Sequence, residues 1–243
     1  MRISRLYIDQ PLSQNCQLRV TGQQAHYLSK VLRLKANTPV HVFDGKGAEF
    51  SAHLTAISRH EVELQVDSAL PGESESPLHT ILGLGLSRGE RMDYAIQKST
   101  ELGVSVIVPL FTEFCEVKLE GPRLQKKLQH WQQICISACE QSGRTIVPAV
   151  LEPQSLSTWC QAQNSPVRLV FCPTGNPLTS KDPSINQISL LIGPEGGFSA
   201  GELANAETAG FERVQLGPRV LRTETAPIVA LTAVQLMWGD FQM

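Results

Sequence analysis

The stretch "LLIGPEGGFSAGE" (Leu190–Glu202) runs from an apolar segment through a glycine-rich turn to the start of a helix. Its last four residues match the capping box, in which a serine and a glutamate side chain satisfy free amides at a helix N-terminus. Strand, turn and helix in this order are typical of an α/β sheet, which binds ligands beyond the carboxyl ends of its strands. The stretch therefore predicts an α/β fold with a ligand site at its glycine turn.

A second loop rich in glycine and proline follows along the chain. The segment "GPRVLRTETA" (Gly217–Ala226) comes after the strand-like run "RVQLG", and one short helix, about residues 199–210, separates the two strands. A short crossover is expected to bring the strands close together, and its right-handed course keeps both loops on one edge of the sheet. The two loops together predict a binding site.

Strand-like and helical segments alternate from His79 onward. The strand-like runs are "TILGLGLS", "VSVIVPL", "TIVPAVL", "VRLVFC", "ISLLIG" and "RVQLG". The clearest helices are "RMDYAIQKSTELG", "RLQKKLQHWQQICISACEQSG" and "APIVALTAVQLMWGDF". Apolar strands that alternate with helices are typical of a mostly parallel sheet that is covered on both faces. We therefore expect residues 77–243 to form one α/β domain.

Residues 1–70 have the pattern of a small β-rich domain. The run "EVELQVD" alternates polar and apolar residues, as a strand with one buried face does. Asp44-Gly45 lies between two strand-like runs and predicts a hairpin turn. One helix, "QQAHYLSKVLRL", interrupts the strands, and the segment "SALPGESESP" (Ser68–Pro77) has the composition of a linker to the α/β domain.

The composition is that of an ordinary globular protein. The chain has 243 residues, a net charge of −2 and 42% hydrophobic residues, and no apolar run reaches the length of a membrane span. The N-terminus lacks the apolar core of a secretory signal, and the six cysteines form no C-x-x-C pair. We expect a cytoplasmic protein with reduced thiols.

The charge is distributed unevenly along the chain. Residues 1–70 carry 8 Lys and Arg against 6 Asp and Glu, whereas residues 182–243 carry 3 against 7. Any contact with nucleic acid is therefore expected to depend on the first two-thirds of the chain. The N-terminal domain is the expected RNA platform, through its basic residues Arg2, Arg5, Arg19, Lys30, Arg33, Lys35 and Lys46.

The glycine turns do not match the known phosphate-binding loops. A Walker loop needs a lysine that this segment lacks, and "GLGLSRG" (Gly83–Gly89) has an arginine in place of the third glycine of the dinucleotide fingerprint. Gly83 and Gly85 are better explained by close packing of the backbone. Glu195 is an acid where a phosphate would lie, while Gly196 and Gly197 offer bare backbone to a flat ligand. A nucleoside cofactor with a positive charge fits this loop, and S-adenosylmethionine is such a cofactor.

Two other kinds of site find no support in the sequence. No cluster of His and Cys has the spacing of metal ligands, so we expect no metal. No G-x-S-x-G elbow of a serine hydrolase occurs either.

Four motifs carry a resemblance to a known family. "LLIGPEGGFSAGE" with "LGPRVLRTETA", together with "QKSTELGV", "ACEQSGR" and "HYLSKVLR", resembles the RsmE family of bacterial 16S ribosomal RNA (uracil-N3) methyltransferases. The resemblance covers most of the chain and weakens between Leu151 and Gln187, which we interpret as a variable connection.

The resemblance implies a fold, an assembly and a cofactor site. It implies a SPOUT α/β domain with a deep trefoil knot, a PUA-like β-barrel at the N-terminus, a homodimer, and S-adenosylmethionine bound in the knot. It also implies that the cofactor is bound by Leu191, Gly193, Pro194, Gly196, Gly197, Leu216, Leu221, Thr223, Thr225 and Ala226.

The uridine N3 atom is an imide nitrogen that must lose or share its proton before it attacks a methyl group. Arg222 is the first catalytic candidate, because a guanidinium can hold the uracil carbonyls and stabilise the imide anion. Glu224 is the second candidate, either as the proton acceptor or as the residue that orients Arg222. An equally good interpretation is that the Glu224 charge interacts favourably with the dipole of the last helix.

Eight residues are candidates for contact with the substrate RNA. Lys98 and Glu101 could equally be a solvated surface pair, and Arg219 has two candidate partners, an RNA phosphate or Glu195. The candidates are Arg5, His26, Arg33, Lys98, Glu140, Gln141, Arg144 and Arg219.

We therefore expect methylation of uridine N3 in the 16S rRNA of the small ribosomal subunit. Two alternatives stay open. One is a SPOUT ribose 2′-O or tRNA methyltransferase with the same cofactor site, and the other is a non-catalytic RNA chaperone that keeps the fold.

Overall fold

The computed structural model describes residues 3–32, 34–58, 60–72, 75–117, 119–179, 182 and 184–241. The chain divides into two compact units. The first unit consists of Met1–Glu75 with Cys139–Val147, and the second consists of Ser76–Ala138 with Pro148–Met243.

The first unit is built on a five-stranded sheet. Its strands are β1 (Ser4–Tyr7), β2 (Gln17–Thr21), β3 (Pro39–Phe43), β4 (Glu49–Ile57) and β5 (Glu61–Ala69), in the order β1-β3-β4-β5-β2. β1 pairs with β3 in parallel and the other pairs are antiparallel. The Asp44-Gly45 turn joins β3 to β4, so the predicted hairpin is confirmed.

Residues along the strands alternate between buried and less buried positions, and the buried ones build the core of this unit. In β5 the apolar residues Val62, Leu64 and Val66 are buried, while the polar residues between them are half-buried. The predicted helix is present as α1 (Gly22–His26), which is followed by a π-helical turn, Tyr27–Val31. Ala25 and Leu28 of this segment are completely buried in the same core.

A buried polar network ties residues 139–147 to the first unit. The Arg5 guanidinium donates to Glu49 Oε1 (2.8 Å) and to the backbone carbonyls of Cys139 (2.5 Å) and Arg144 (3.0 Å). Glu140 Oε1 accepts a hydrogen bond from the Tyr7 backbone amide at 3.1 Å. Residues 139–147, which are far from β1–β5 in sequence, thus pack with the sheet of the first unit.

The end of the expected linker belongs to this network. Glu75 accepts hydrogen bonds from the Arg144 side chain (2.8 Å at Nη2) and from the backbone amides of Thr145 (2.8 Å) and Ile146 (2.9 Å). Because these bonds hold the Glu75 carboxylate in place, this part of Ser68–Pro77 is an ordered contact rather than a free connection.

The second unit contains a seven-stranded parallel sheet among the residues described. Its strands are β6 (His79–Gly85), β7 (Val106–Phe111), β8 (Ala149–Val150), β9 (Gln154–Ser155), β10 (Val167–Pro177), β11 (Gln187–Ile192) and β12 (Glu212–Gln215). Its helices are α2 (Glu90–Glu101), α3 (Gly121–Ser142, whose last residues belong to the first unit), α4 (Leu156–Ala162), α5 (Ala200–Thr208) and α6 (Ala226–Trp238). The predicted α/β fold is confirmed.

The strand order is β12-β10-β11-β6-β7-β8, with β9 also paired to β7. β11 and β12, which carry the two glycine loops, are therefore not neighbours as a short crossover suggested, because β10 pairs with both and lies between them. All these strands are parallel, so both loops still leave the same edge of the sheet.

Two glycines of β6 allow close packing, as predicted. A Cβ atom on Gly83 would lie 2.6 Å from the Trp159 ring, and one on Gly85 would lie 2.5 Å from the backbone nitrogen of Pro194. The bare backbone of Gly85 therefore lets the end of β6 press directly against the glycine turn that follows β11.

The segment between Leu151 and Gln187 has more structure than a variable connection. It contains β9 and the helix α4, whose buried face includes Leu156, Trp159 and Cys160. Ser155 caps α4, since its side chain accepts a hydrogen bond from the Thr158 amide. The same segment contains β10, the strand that separates the two loops.

All six cysteines lie in the described part of the chain, and none of them forms a disulfide there. Burial raises the pKa of Cys160 to about 12, and the nearby Glu202 carboxylate adds to the shift, so this thiol stays protonated. Within the described ranges, no helix is both long and apolar enough to cross a membrane. The described part of the chain also contains no cluster of three or more His, Cys, Asp or Glu that could hold a metal ion.

Candidate active site

A cavity of about 770 Å³ lies in the second unit, at the edge of the sheet where the glycine loops end. Three segments form its wall: residues 171–174 of β10, the turn after β11, and the loop from β12 to α6. The two loops singled out in the sequence thus line one cavity.

Most of the predicted cofactor residues line this cavity. Those that do are Gly193, Pro194, Gly197, Leu216, Leu221, Thr223 and Ala226. Three do not. Leu191 is completely buried in the core behind the sheet, Gly196 packs outward against Phe114, and Thr225 is the N-cap residue of α6.

Thr223 joins the two glycine loops to the end of β6. Its hydroxyl donates to the Gly193 carbonyl at 3.2 Å and lies 2.9 Å from Ser87 Oγ. Ser87 and Thr223 are both buried. Because each hydroxyl has a partner, this contact fixes the spacing between the loops at low cost.

The two catalytic candidates lie on the cavity wall in contrasting environments. The Arg222 side chain is 81% exposed, whereas that of Glu224 is 19% exposed, and Arg222 Nη1 lies 3.9 Å from Glu224 Oε1. Glu224 Oε2 is buried and has no hydrogen-bond partner. A buried carboxylate oxygen without a partner is costly, so a positive or proton-donating group is expected to meet it.

Glu195 is paired with Arg91 rather than with Arg219. Its Oε1 accepts hydrogen bonds from Arg91 Nη1 and the Arg88 backbone amide, both at 3.2 Å. Partial burial raises the pKa of Glu195, but hydrogen bonds from its own amide, Arg88 and Arg91 outweigh it and leave the pKa below its ordinary value. Arg91 lies at the start of α2, a segment that the sequence pattern did not connect with the glycine turn after β11.

The two adjacent glycines of the turn have different roles. Gly197 has a φ of +70° and a Cβ there would meet nothing within 4 Å, so its conformation requires glycine. A Cβ on Gly196 would lie 2.7 Å from Phe114 Cβ. The requirement for glycine at position 196 is therefore close contact with Phe114, rather than contact with a flat ligand.

The structure spreads the predicted RNA residues over both units. In the second unit, Arg219 lines the cavity and Lys98 forms an ion pair with Glu101 at 2.7 Å on α2. In the first unit, His26 and Gln141 are exposed. Arg33 lies outside the described residues.

Arg5, Glu140 and Arg144 are held in the polar network of the first unit. The Arg5 side chain is 10% exposed and that of Arg144 is 6% exposed. Burial of the Arg5 and Arg144 guanidinium groups argues against their predicted direct contact with RNA.

The sequence interpretation missed the contribution of β10 to the cavity. Phe171, Cys172, Pro173 and Thr174 line it, because the pairing of β10 with β12 shifts register between Phe171 and Asn176. This bulge releases the intervening residues from the regular ladder. The Cys172-Pro173-Thr174-Gly175 run was the available signal, since proline and glycine inside a strand often mark such a bulge.

The cavity combines an apolar wall with the partly buried carboxylate of Glu224 and the exposed guanidinium groups of Arg219 and Arg222. Phe171, Ile192, Phe198, Leu203 and Leu216 supply apolar surface. Such a site suits a flat, partly cationic small molecule next to a second, hydrogen-bonding reactant.

Comparison with known proteins agrees with this geometry. A family model described as an RNA methyltransferase domain matches residues 74–235, and one described as an RNA methyltransferase PUA domain matches residues 20–67. A relative from Buchnera aphidicola (subsp. Schizaphis graminum), named ribosomal RNA small subunit methyltransferase E, is 38% identical over 98% of each chain. A relative of the same name from Bacillus subtilis is 28% identical over 91% of this chain and 92% of its own.

Two solved structures are similar over nearly the whole chain. A protein from Legionella pneumophila, solved with the bound cofactor SAM, has a TM-score of 0.96 and 35% identity, covering 99% of this chain and 100% of its own. A ribosomal RNA small subunit methyltransferase E from Neisseria gonorrhoeae, bound to S-adenosyl methionine, has a TM-score of 0.93 and 37% identity with the same coverage. The chain therefore belongs to the family of ribosomal RNA small subunit methyltransferase E proteins.

Proposed function

We propose that this chain methylates N3 of a specific uridine in the 16S rRNA of the small ribosomal subunit, with S-adenosylmethionine as methyl donor. The observation that carries the proposal is the cavity that joins both glycine loops, with the partly buried Glu224 and the exposed guanidinium of Arg222 on its wall. The name of the relatives and the cofactor held by the two similar structures support it.

The residues of the cavity fit S-adenosylmethionine. The cavity is large enough for a nucleoside with an amino-acid tail, and Gly193 and Gly197 expose main-chain groups on its wall. The Glu224 carboxylate suits a cofactor that carries positive charge. We assign the adenosine and methionine parts to Gly193, Pro194, Gly197, Leu216, Leu221, Thr223 and Ala226, and keep Leu191, Gly196 and Thr225 as residues that support these loops.

The chain's own residues have to activate N3 and hold the base. When bound, S-adenosylmethionine supplies an activated methyl group on a sulfonium. Arg222 donates hydrogen bonds from its planar guanidinium to one of the uracil carbonyl oxygens and so stabilises the negative charge that spreads onto it as the N3 proton leaves. Glu224 accepts that proton at its carboxylate, whose Oε1 lies 3.9 Å from Arg222 Nη1. Arg219 binds a neighbouring phosphate at the mouth of the cavity.

The proposal also covers the architecture and the partners. Residues 1–70 would be a PUA-like RNA-binding barrel and residues 77–243 a SPOUT methyltransferase domain with a deep trefoil knot. The chain would act as a homodimer in the cytoplasm, on 16S rRNA or the small subunit, without a metal. Val229 and Leu236 on α6, both exposed apolar residues, support a second copy packing on this helix.

The test is an in vitro methylation with nucleoside mass spectrometry. Purified protein and S-adenosylmethionine are incubated with unmethylated small subunits, separately with free 16S rRNA, and with transfer RNA as a control. We expect 3-methyluridine in one of the two substrates and none in transfer RNA. A 2′-O-methylated nucleoside, or no product from either substrate, contradicts the proposal. Calorimetry with S-adenosylmethionine tests the cofactor separately, since an RNA chaperone would not bind it.

A further inference from the structure

Phe114 is an exposed aromatic residue beside the glycine turn of the cavity. Its side chain is 47% exposed, on the turn that follows β7 at the same edge of the sheet. The backbone of Gly196 lies directly against it, since a Cβ atom there would be 2.7 Å from Phe114 Cβ. Both neighbours of Gly196, Glu195 and Gly197, line the cavity. Phe114 thus lies on the outer side of the segment whose inner side forms the cofactor wall.

The turn that carries Phe114 is held on both sides. The Glu113 amide donates to Glu202 Oε1 at 2.8 Å, and the Cys115 thiol donates to the Leu86 carbonyl at 3.6 Å. Glu116 forms an ion pair with Arg88. Anchors from two segments, α5 and the loop after β6, hold the turn that carries the ring, although the ring itself buries only about half of its surface.

The Phe114 ring offers a flat apolar face, about half of it exposed, directly beside the glycine turn. Unpaired bases of RNA are commonly recognised by stacking on such rings, and an enzyme that modifies a base must take it out of its stack. The surroundings favour a base over the sugar-phosphate backbone, since the exposed carboxylate of Glu113 is next to the ring in sequence and repels phosphate, whereas that of Glu116 is already paired with Arg88.

We propose that Phe114 is a stacking platform for an unpaired base of the substrate RNA, on the outer side of the glycine turn that lines the cofactor cavity. The inference rests on the proposed function, because it takes RNA as the substrate. Stacking needs a flat aromatic face, whereas support of Gly196 needs only apolar volume. The two roles therefore separate on substitution.

The experiment compares Phe114→Leu, Phe114→Trp and, as a matched control, Tyr94→Leu. Leucine keeps the apolar contact with Gly196 and removes the aromatic face, while tryptophan keeps the face. Tyr94 lies on α2 of the same unit and is equally exposed, at 47%. The measurements are the dissociation constant for 16S rRNA, kcat/KM for the RNA, and S-adenosylmethionine affinity by calorimetry.

We expect Phe114→Leu to weaken RNA binding and lower kcat/KM by about tenfold, the scale of one lost base stack, with cofactor affinity unchanged. Phe114→Trp and Tyr94→Leu are expected to stay close to the unsubstituted protein. RNA binding by Phe114→Leu equal to that of the unsubstituted protein, or a parallel loss of cofactor affinity, would contradict the proposal that Phe114 stacks on a base. RNA binding without any methylation by the unsubstituted protein would overturn the proposed function, and the binding comparison would still decide the role of Phe114.

Discussion

Arg222 and Glu224 lie two residues apart, yet one is exposed to solvent and the other is largely buried. The loose 3.9 Å contact between them leaves the guanidinium available to a substrate. The planar guanidinium presents its donors in a fixed fork, whereas the ammonium of lysine is a point charge with rotating donors. This geometry indicates that Arg222 contributes to the rate of methyl transfer rather than to the affinity for the cofactor.

We predict that Arg222→Lys keeps most of the S-adenosylmethionine affinity and lowers single-turnover methylation about a hundredfold, the usual effect of losing one well-placed electrostatic donor. Single-turnover kinetics at saturating RNA and calorimetry measure the two effects. Arg219→Lys is the control on the same loop, and its rate should stay close to normal because a phosphate contact needs only the charge. Equal losses of cofactor affinity and rate in Arg222→Lys would assign Arg222 to the cofactor pocket.

A second prediction concerns Gly196, whose close contact with Phe114 leaves no room for a side chain. Gly196→Ala places a methyl group 2.7 Å from Phe114 Cβ, and that atom is too close to the backbone to move aside. The turn must shift, so the cofactor affinity measured by calorimetry should fall, and Gly196→Val should abolish binding in a folded protein.

Gly201→Ala provides the control for Gly196, because a Cβ there meets nothing closer than 3.8 Å. Gly201 lies in α5, where alanine is favoured over glycine by about 1 kcal/mol. This variant should bind the cofactor normally and unfold at slightly higher denaturant. Normal cofactor binding by Gly196→Ala would show that the turn adapts to the side chain.

At the scale of elements, α5 depends on a carboxylate that serves two segments. Glu202 Oε2 accepts from the Ser199 amide at 2.9 Å and completes the capping box with the Ser199 side chain, as predicted. Its Oε1 accepts from the Glu113 amide at 2.8 Å. The same residue therefore begins a helix and holds the turn after β7.

Glu202→Ala is expected to be more destabilising than Ser199→Ala, for which the loss of one cap costs about 1 kcal/mol. Removing Glu202 leaves two amides without partners, one at the helix start and one in the Phe114 turn. Denaturant unfolding of the two variants and of Ser155→Ala, the cap of α4, measures the difference. Equal stability of Glu202→Ala and Ser199→Ala would mean that the contact with Glu113 contributes little.

At the scale of the whole chain, the assignment of residues 139–147 to the first unit depends on buried polar groups. Burial raises the pKa of Glu140, and the opposing effects of the Tyr7 amide and of Arg5 do not cancel it. The folded chain therefore holds this proton more tightly than the unfolded chain does. The stabilisation is complete below the ordinary pKa of 4.5 and is lost as the pH rises through the raised pKa.

Glu140→Gln should therefore gain stability relative to the unsubstituted protein as the pH rises above about 4.5. Glutamine keeps an oxygen that accepts from the Tyr7 amide and carries no charge to bury. Urea unfolding across a pH series measures the difference in the free energy of unfolding. Glu152→Gln, at an exposed carboxylate, should show no such trend. A difference that is constant with pH would exclude burial of the charge as the cause.

The sequence by itself determined the local structure of this protein. The helices α2, α3, α5 and α6, the β3–β4 hairpin and the capping box of α5 all follow from residues a few positions apart, because capping, turn chemistry and hydrophobic periodicity act over that range. The two glycine loops were identified for the same reason. The four quoted motifs were also sufficient to identify the family.

The tertiary structure alone decided which distant segments meet. It placed β10 between the two loops and gave the cavity a third wall, set Phe114 against Gly196, and paired Glu195 with Arg91. It also buried Arg5 against a carbonyl 134 residues away. Such contacts depend on strand order and on packing between elements, and neither is encoded in the spacing of residues along one segment.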